Sequence, residues 1–77
     1  MVWLIGYDKR KTKEGKVFFV EYVKYSADIS AGECVAQVFN GEERHNRLFG
    51  SVRPGDPCPD LKIGYDKEKK QNFVYCV

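Results

Sequence analysis

The sequence lacks most of what an enzyme active site is built from. It has one histidine, His45, and its serines Ser26, Ser30 and Ser51 fall in no nucleophile motif. No Walker-type or dinucleotide-binding glycine pattern occurs. Glu42 and Glu43 are neighbours in the chain, but adjacent carboxylates without a pocket do not make an acid–base pair. His45 stands in a charged segment and reads as a solvated loop residue rather than a general base. Catalysis is not expected, and neither is a cofactor.

Cysteine is sparse as well. Cys34, Cys58 and Cys76 are odd in number and widely spaced, and no two form a Cys-x-x-Cys pair. That pattern argues against a disulfide framework and for a reducing, cytoplasmic setting. A zinc site shared with His45 is not expected on spacing, and Cys34 and Cys76 read as small buried apolar residues. No apolar run approaches the roughly 20 residues of a membrane span, and Val2–Ile5 is too short for a signal-peptide core.

What is present suits a small β-domain. With 77 residues the chain has room for a single domain over 1–77, and a chain of this size buries only about 60% of its unfolded surface. Val, Phe and Tyr are more prominent than Leu and Ala, a bias that fits pleated, half-buried surfaces. The formal net charge is +2, but it is unevenly spread. Residues 1–26 carry six basic and three acidic side chains, 27–60 three and six, and 61–77 four and two. The ends are basic and the middle acidic, which can steer an anionic partner to one surface.

Two apolar runs, Val2–Tyr7 and Val17–Tyr25, enclose a polar connection closed by Gly15, and read as a hairpin. Ser26–Gly32 reads as a break. Glu33–Asn40 is a third strand ending at the turn signal Asn40-Gly41. Glu42–Phe49 does not resemble a strand; acidic residues at its start suit a helical turn or an irregular loop. Arg53-Pro54-Gly55-Asp56 is a β-turn with Pro and Gly at its centre, and the three prolines from Pro54 to Pro59 exclude regular structure there. Leu61–Asp66 and Asn72–Val77, joined by Lys67–Gln71, make a second hairpin. Ile5-Gly6-Tyr7-Asp8-Lys9 recurs as Ile63-Gly64-Tyr65-Asp66-Lys67. A strand glycine marks a bulge or bend and Asp starts a turn, so shared structural demands account for the repeat. The functional alternative is a matching Tyr–Asp–Lys tip on each hairpin.

This order predicts an all-β fold: a small five-stranded Greek-key barrel, OB-like, with a short helical or irregular link between strands 3 and 4. Barrels of this type bind oligonucleotides on the strand 2–3 face, beside the loops joining strands 1–2 and 4–5. In this chain those loops are the lysine-rich ones.

The Pro54-Gly55-Asp56 turn, the Ile63-Gly64-Tyr65 strand leading to a basic tip and the basic first hairpin give the chain a family likeness. It resembles the small single-stranded-DNA-binding proteins of phages and mobile genetic elements, including the filamentous-phage gene V type. Pro57 and Pro59 depart from that layout, standing where the next strand would begin. The resemblance implies a single OB-like domain, a preference for single strands and self-association as a homodimer.

Single-stranded nucleic acid is held by cations along its phosphates and by aromatics on which bases stack. The cationic candidates are Lys9, Arg10, Lys11, Lys13 and Lys16 in the first hairpin, and Lys67, Lys69 and Lys70 in the second. Alternation puts Phe18, Val20 and Tyr22 on one face of strand 2, and Val17, Phe19, Glu21, Val23 and Tyr25 on the other. A mid-strand glutamate should face water, which selects the Glu21 face as the outer one. The aromatic candidates are then Tyr7, Phe19, Tyr25, Tyr65, Phe73 and Tyr75. A bulge at Gly6 or Gly64 would reverse the parity along its strand. The leading expectation is a non-sequence-specific single-stranded DNA-binding protein with no membrane partner. The alternative is an SH3-like or other β-barrel protein-interaction module, or an inhibitor carried by a mobile element.

Overall fold

The computed structural model describes residues 2–25 and 34–77, so the expected break at Ser26–Gly32 lies outside the described residues. Six strands and one helix follow in order: β1 Val2–Lys11, β2 Val17–Tyr25, β3 Cys34–Gly41, α1 Glu42–Phe49, β4 Pro57–Cys58, β5 Leu61–Asp66 and β6 Gln71–Cys76. They form one mixed sheet in the order β4-β1-β2-β3-β6-β5, curled into a half-barrel. All neighbouring pairs are antiparallel except β3 and β6, which run parallel at Val38 and Asn72. Curling brings β5, at one edge, back against β1.

β2 is central, flanked along its length by β1 and β3. Its β-branched and aromatic residues therefore serve two faces. One face, with Val23 beside Val2, Leu4, Ala36, Val38, Leu61 and Val74, closes over the core. Helix α1 covers that face. It contains no β-branched residue, and its acidic first turn (Glu42, Glu43) and basic last turn (Arg47) complement the helix dipole. His45 and Phe49, four residues apart and hence on one side of the helix, are the two it buries. An Arg44 guanidinium N–H donates to the carbonyl of Val74 at 2.9 Å, fixing the helix to β6.

Gly41 ends β3 and leads directly into α1, so Asn40-Gly41 makes no hairpin turn. The segment expected to be free of regular structure contributes β4, two residues paired with Val2 and Trp3. Proline is acceptable there because β4 is an edge strand. With β4 the strand count is six rather than five. The turn before it is as expected: Asp56 N–H donates to the Arg53 carbonyl at 3.0 Å, and Gly55 takes φ +96°, a value that disfavours any residue with a Cβ.

The register of β1 shifts between Leu4 and Gly6, so a bulge is present at Ile5, one residue before the Gly6 where it was allowed for. Leu4 faces the core; after the bulge it is Tyr7, opposite Glu21, that lies on the inner side. β5 pairs with β6 without a shift through Gly64. That glycine has a different reason: a Cβ on it would stand 2.5 Å from Cζ of Phe73, whose ring lies over the bare backbone.

Two cysteine assignments are reversed. Cys34 and Cys76 are exposed, near the ends of β3 and β6, while Cys58 is buried in the core. The reason is position: Cys34 and Cys76 have the inner parity of Ala36 and Val74 but stand at the exposed ends of their strands, whereas β4 lies against Val2. Burial also pushes the Cys58 thiol up from its ordinary range. A thiol-reactive chromophore should therefore label two thiols within seconds in the native protein. The third should react only in denaturant. Rapid labelling of all three would contradict the packing of β4.

Candidate nucleic-acid interface

Glu21 decides which face of the sheet is available. It is fully buried, not solvent-facing as its charge suggests, because β3 and α1 supply it with partners. Asn40 Nδ2 donates to both carboxylate oxygens, at 2.6 and 3.0 Å, and His45 Nδ1 stands 3.5 Å from Oε1. Burial raises this carboxyl to about 7, against the lowering effect of the Asn40 hydrogen bond and the nearby Arg44 charge. His45 is likewise buried rather than solvated; its ring stacks on Phe19 at 3.7 Å with an interplanar angle of 3°, and burial lowers its pKa.

The inner face of β2 is thus the one with Phe19, Glu21, Val23 and Tyr25. Phe19 is buried and Tyr25 packs against the core, so neither is a stacking platform for a ligand. Tyr7 and Tyr65 also lie on the inner side by register, opposite Glu21 and Asn72, although both are exposed. Tyr7 meets His45 edge-on at 4.7 Å and Phe19 at 5.8 Å.

The outer face is formed by the other parity. Phe18, Val20, Tyr22 and Lys24 come from β2, Val35, Gln37 and Phe39 from β3, and Phe73 and Tyr75 from β6. Phe39, Phe73 and Tyr75 are 44%, 41% and 38% exposed on neighbouring strands. The Phe73 and Tyr75 rings are 5.7 Å apart. Trp3 continues this face on β1, with the Lys24 ammonium 5.1 Å from its ring centroid. Tyr22 donates its hydroxyl to Asp8 at 3.0 Å, a hydrogen bond that raises the phenol's pKa. Of the aromatics expected to bind, Phe73 and Tyr75 therefore share a face; Phe18, Tyr22 and Phe39 join them.

The basic residues divide similarly. β1 extends to Lys11, so Lys9, Arg10 and Lys11 belong to a strand and not to a turn. Lys9 and Lys11 are on the inner side and Arg10 on the outer, where it pairs with Asp8 at 3.6 Å. The turn proper is Thr12–Lys16, where Gly15 N–H donates to the Thr12 carbonyl at 3.0 Å; it exposes Lys13 and Lys16. In the second hairpin, Asp66 Oδ1 accepts from the N–H groups of Glu68 and Lys69 at 2.9 and 3.2 Å, exposing Lys67, Lys69 and Lys70. The two copies of the five-residue repeat thus differ in role: Asp66 starts a turn, while Asp8 lies within a strand. The turns lie toward opposite ends of β3, because β2 starts beside Gly41 and β6 runs parallel to β3. They bracket the outer face from its two ends instead of sharing one rim.

No family model, curated protein or solved structure matches the chain. Among the described residues, no group of His, Cys, Asp and Glu side chains could hold a metal ion, and no helix is long and apolar enough to cross a membrane.

Proposed function

We propose that the chain is an OB-like, non-sequence-specific binder of single-stranded nucleic acid, acting by binding and not by catalysis. The strand runs across the outer face of β2, β3 and β6 between the two lysine turns. One observation carries this reading. Phe39, Phe73 and Tyr75 are exposed together on adjacent strands, on the face turned away from the core. Exposed aromatics that share a face are costly to leave in water and suited to stacking bases, each worth about 1–3 kcal/mol. The sheet order β1-β2-β3-β6-β5, with the helix between β3 and the second hairpin, supports the OB-like layout.

Titration with oligo-dT at low and high salt, followed by Trp3 and tyrosine fluorescence, tests the reading. Affinity should fall steeply with salt, with a log–log slope near 0.7 per neutralised phosphate. Replacing Lys13, Lys16, Lys69 and Lys70 by glutamate should abolish binding and leave the fold intact. Absence of binding at low salt refutes the proposal. It would favour a protein-interaction module, for which a specific feature speaks: Asp8 and Asp66 lie on the same side of the sheet as the aromatics, where an anion gains nothing.

A further inference from the structure

Beneath α1 lies a polar cluster that the strand-binding face does not use. Glu21 is wholly buried in the central strand, and both of its carboxylate oxygens accept from Asn40 Nδ2, a neutral donor. His45 Nδ1, 3.5 Å from Glu21 Oε1, is a buried nitrogen without a hydrogen-bond partner among the described residues. The imidazole is held in place by the stacked Phe19 ring and by the edge of Tyr7. Buried charges are ordinarily paired, and buried polar atoms ordinarily hydrogen-bonded. A single proton between Oε1 and Nδ1 answers both demands, neutralising the pair and giving the orphan nitrogen its partner.

We propose that Glu21, Asn40 and His45 form a one-proton binding site whose occupancy tunes the attraction of the β1 side of the molecule for an anionic strand. The tuning rests on the nucleic-acid reading above; the proton site does not. Uptake of a proton from solvent takes the pair from one negative charge to none. Among the described residues the groups facing it are few. Tyr7 stands opposite Glu21 on β1, and Lys9 stands opposite Phe19. β3 contributes the uncharged Ala36, Val38 and Asn40, and β2 itself Phe19 and Val23. From α1 come the Arg44 cation, which favours the ionised carboxylate, and the first-turn residues Glu42 and Glu43. Burial outweighs Arg44, raising the carboxyl to about 7, so the site loads near neutrality. Removing that negative charge leaves Arg44 and the inner-side cations of β1 less compensated, and because they lie on the side away from the bound strand, screening keeps the effect on binding small.

Two measurements test this. Carbon-detected NMR of the Glu21 carboxyl and the His45 ring between pH 5 and 9 should show both signals moving with one shared midpoint near neutrality. Titration of Glu21 in the ordinary carboxylate range would overturn the proton site. Oligo-dT affinity at fixed ionic strength should then rise between pH 8 and pH 6 by about two- to fivefold more in the wild type than in Glu21→Gln. An equal pH response in the two proteins would overturn the coupling. Absence of binding at both pH values would refute the nucleic-acid reading and its tuning together, while the NMR titration still judges the site.

Discussion

Simultaneous replacement of Phe39, Phe73 and Tyr75 by alanine is expected to weaken oligo-dT binding at least a hundredfold. The three rings offer stacking surface for up to three bases, and each stacked base contributes about 1–3 kcal/mol. The lower bound of the sum, about 3 kcal/mol, is already more than two decades in affinity. The side chains are substantially exposed on the face opposite the core, so the protein should stay folded, as thermal unfolding will verify. Salt dependence should persist in the variant, because the lysine turns are untouched. Wild-type affinity in the triple variant would move the interface off this face. A comparable triple change at Phe19, Tyr25 and Tyr7 would be uninformative, since Phe19 and Tyr25 belong to the packed inner side.

The second large effect concerns stability. Glu21 is raised when folded, so its contribution to stability is fully present below the ordinary carboxylate range and is lost as pH rises through about 7. At 1.36 kcal/mol per pKa unit, the loss between those limits is on the order of 3 kcal/mol. His45 acts in the opposite direction. Burial lowers it, so its contribution is present above its ordinary value near 6.5 and is lost as pH falls below that. Glu21→Gln removes the buried charge and keeps the shape: the new amide oxygen accepts from Asn40, and its NH₂ group can donate to His45 Nδ1. Urea denaturation should find this variant more stable than wild type at pH 8 by roughly 2–3 kcal/mol, with the gap closing toward pH 5. A variant less stable than wild type at pH 8 would show that the ionised carboxylate is well compensated in place.

Much of the layout was legible in the chain. Both hairpins, the third strand and the Pro-Gly turn follow from local patterns, which left the segment after Gly41 open between a helical turn and a loop. Those patterns act over a few residues, through φ preferences and alternation, and need no partner to be recognised. Cysteine placement, the roles of the two repeat copies and the extra two-residue β4 did not follow. Each of these depends on which strand happens to lie alongside.

The candidate site was legible only in part, for one identifiable reason. Alternation divides β2 into two sets of side chains but does not say which set is buried. The rule that a charge faces water chose the Glu21 set as the outer face. It failed because Asn40, nineteen positions along the chain, donates to the carboxylate, and His45 on the helix lies against it. Those partners are assembled by the β2–β3 register and by the docking of α1, neither of which is encoded near Glu21.

From the sequence alone came the β-rich class, the hairpin order, the basic ends and the poverty of catalytic groups. Short-range sterics and composition suffice for all of these. Tertiary structure alone decided the face: β3 and α1 closed over Glu21, and the opposite set of aromatics was left in water. A buried carboxylate is stable only with partners brought from elsewhere in the chain, so its address is a property of the fold.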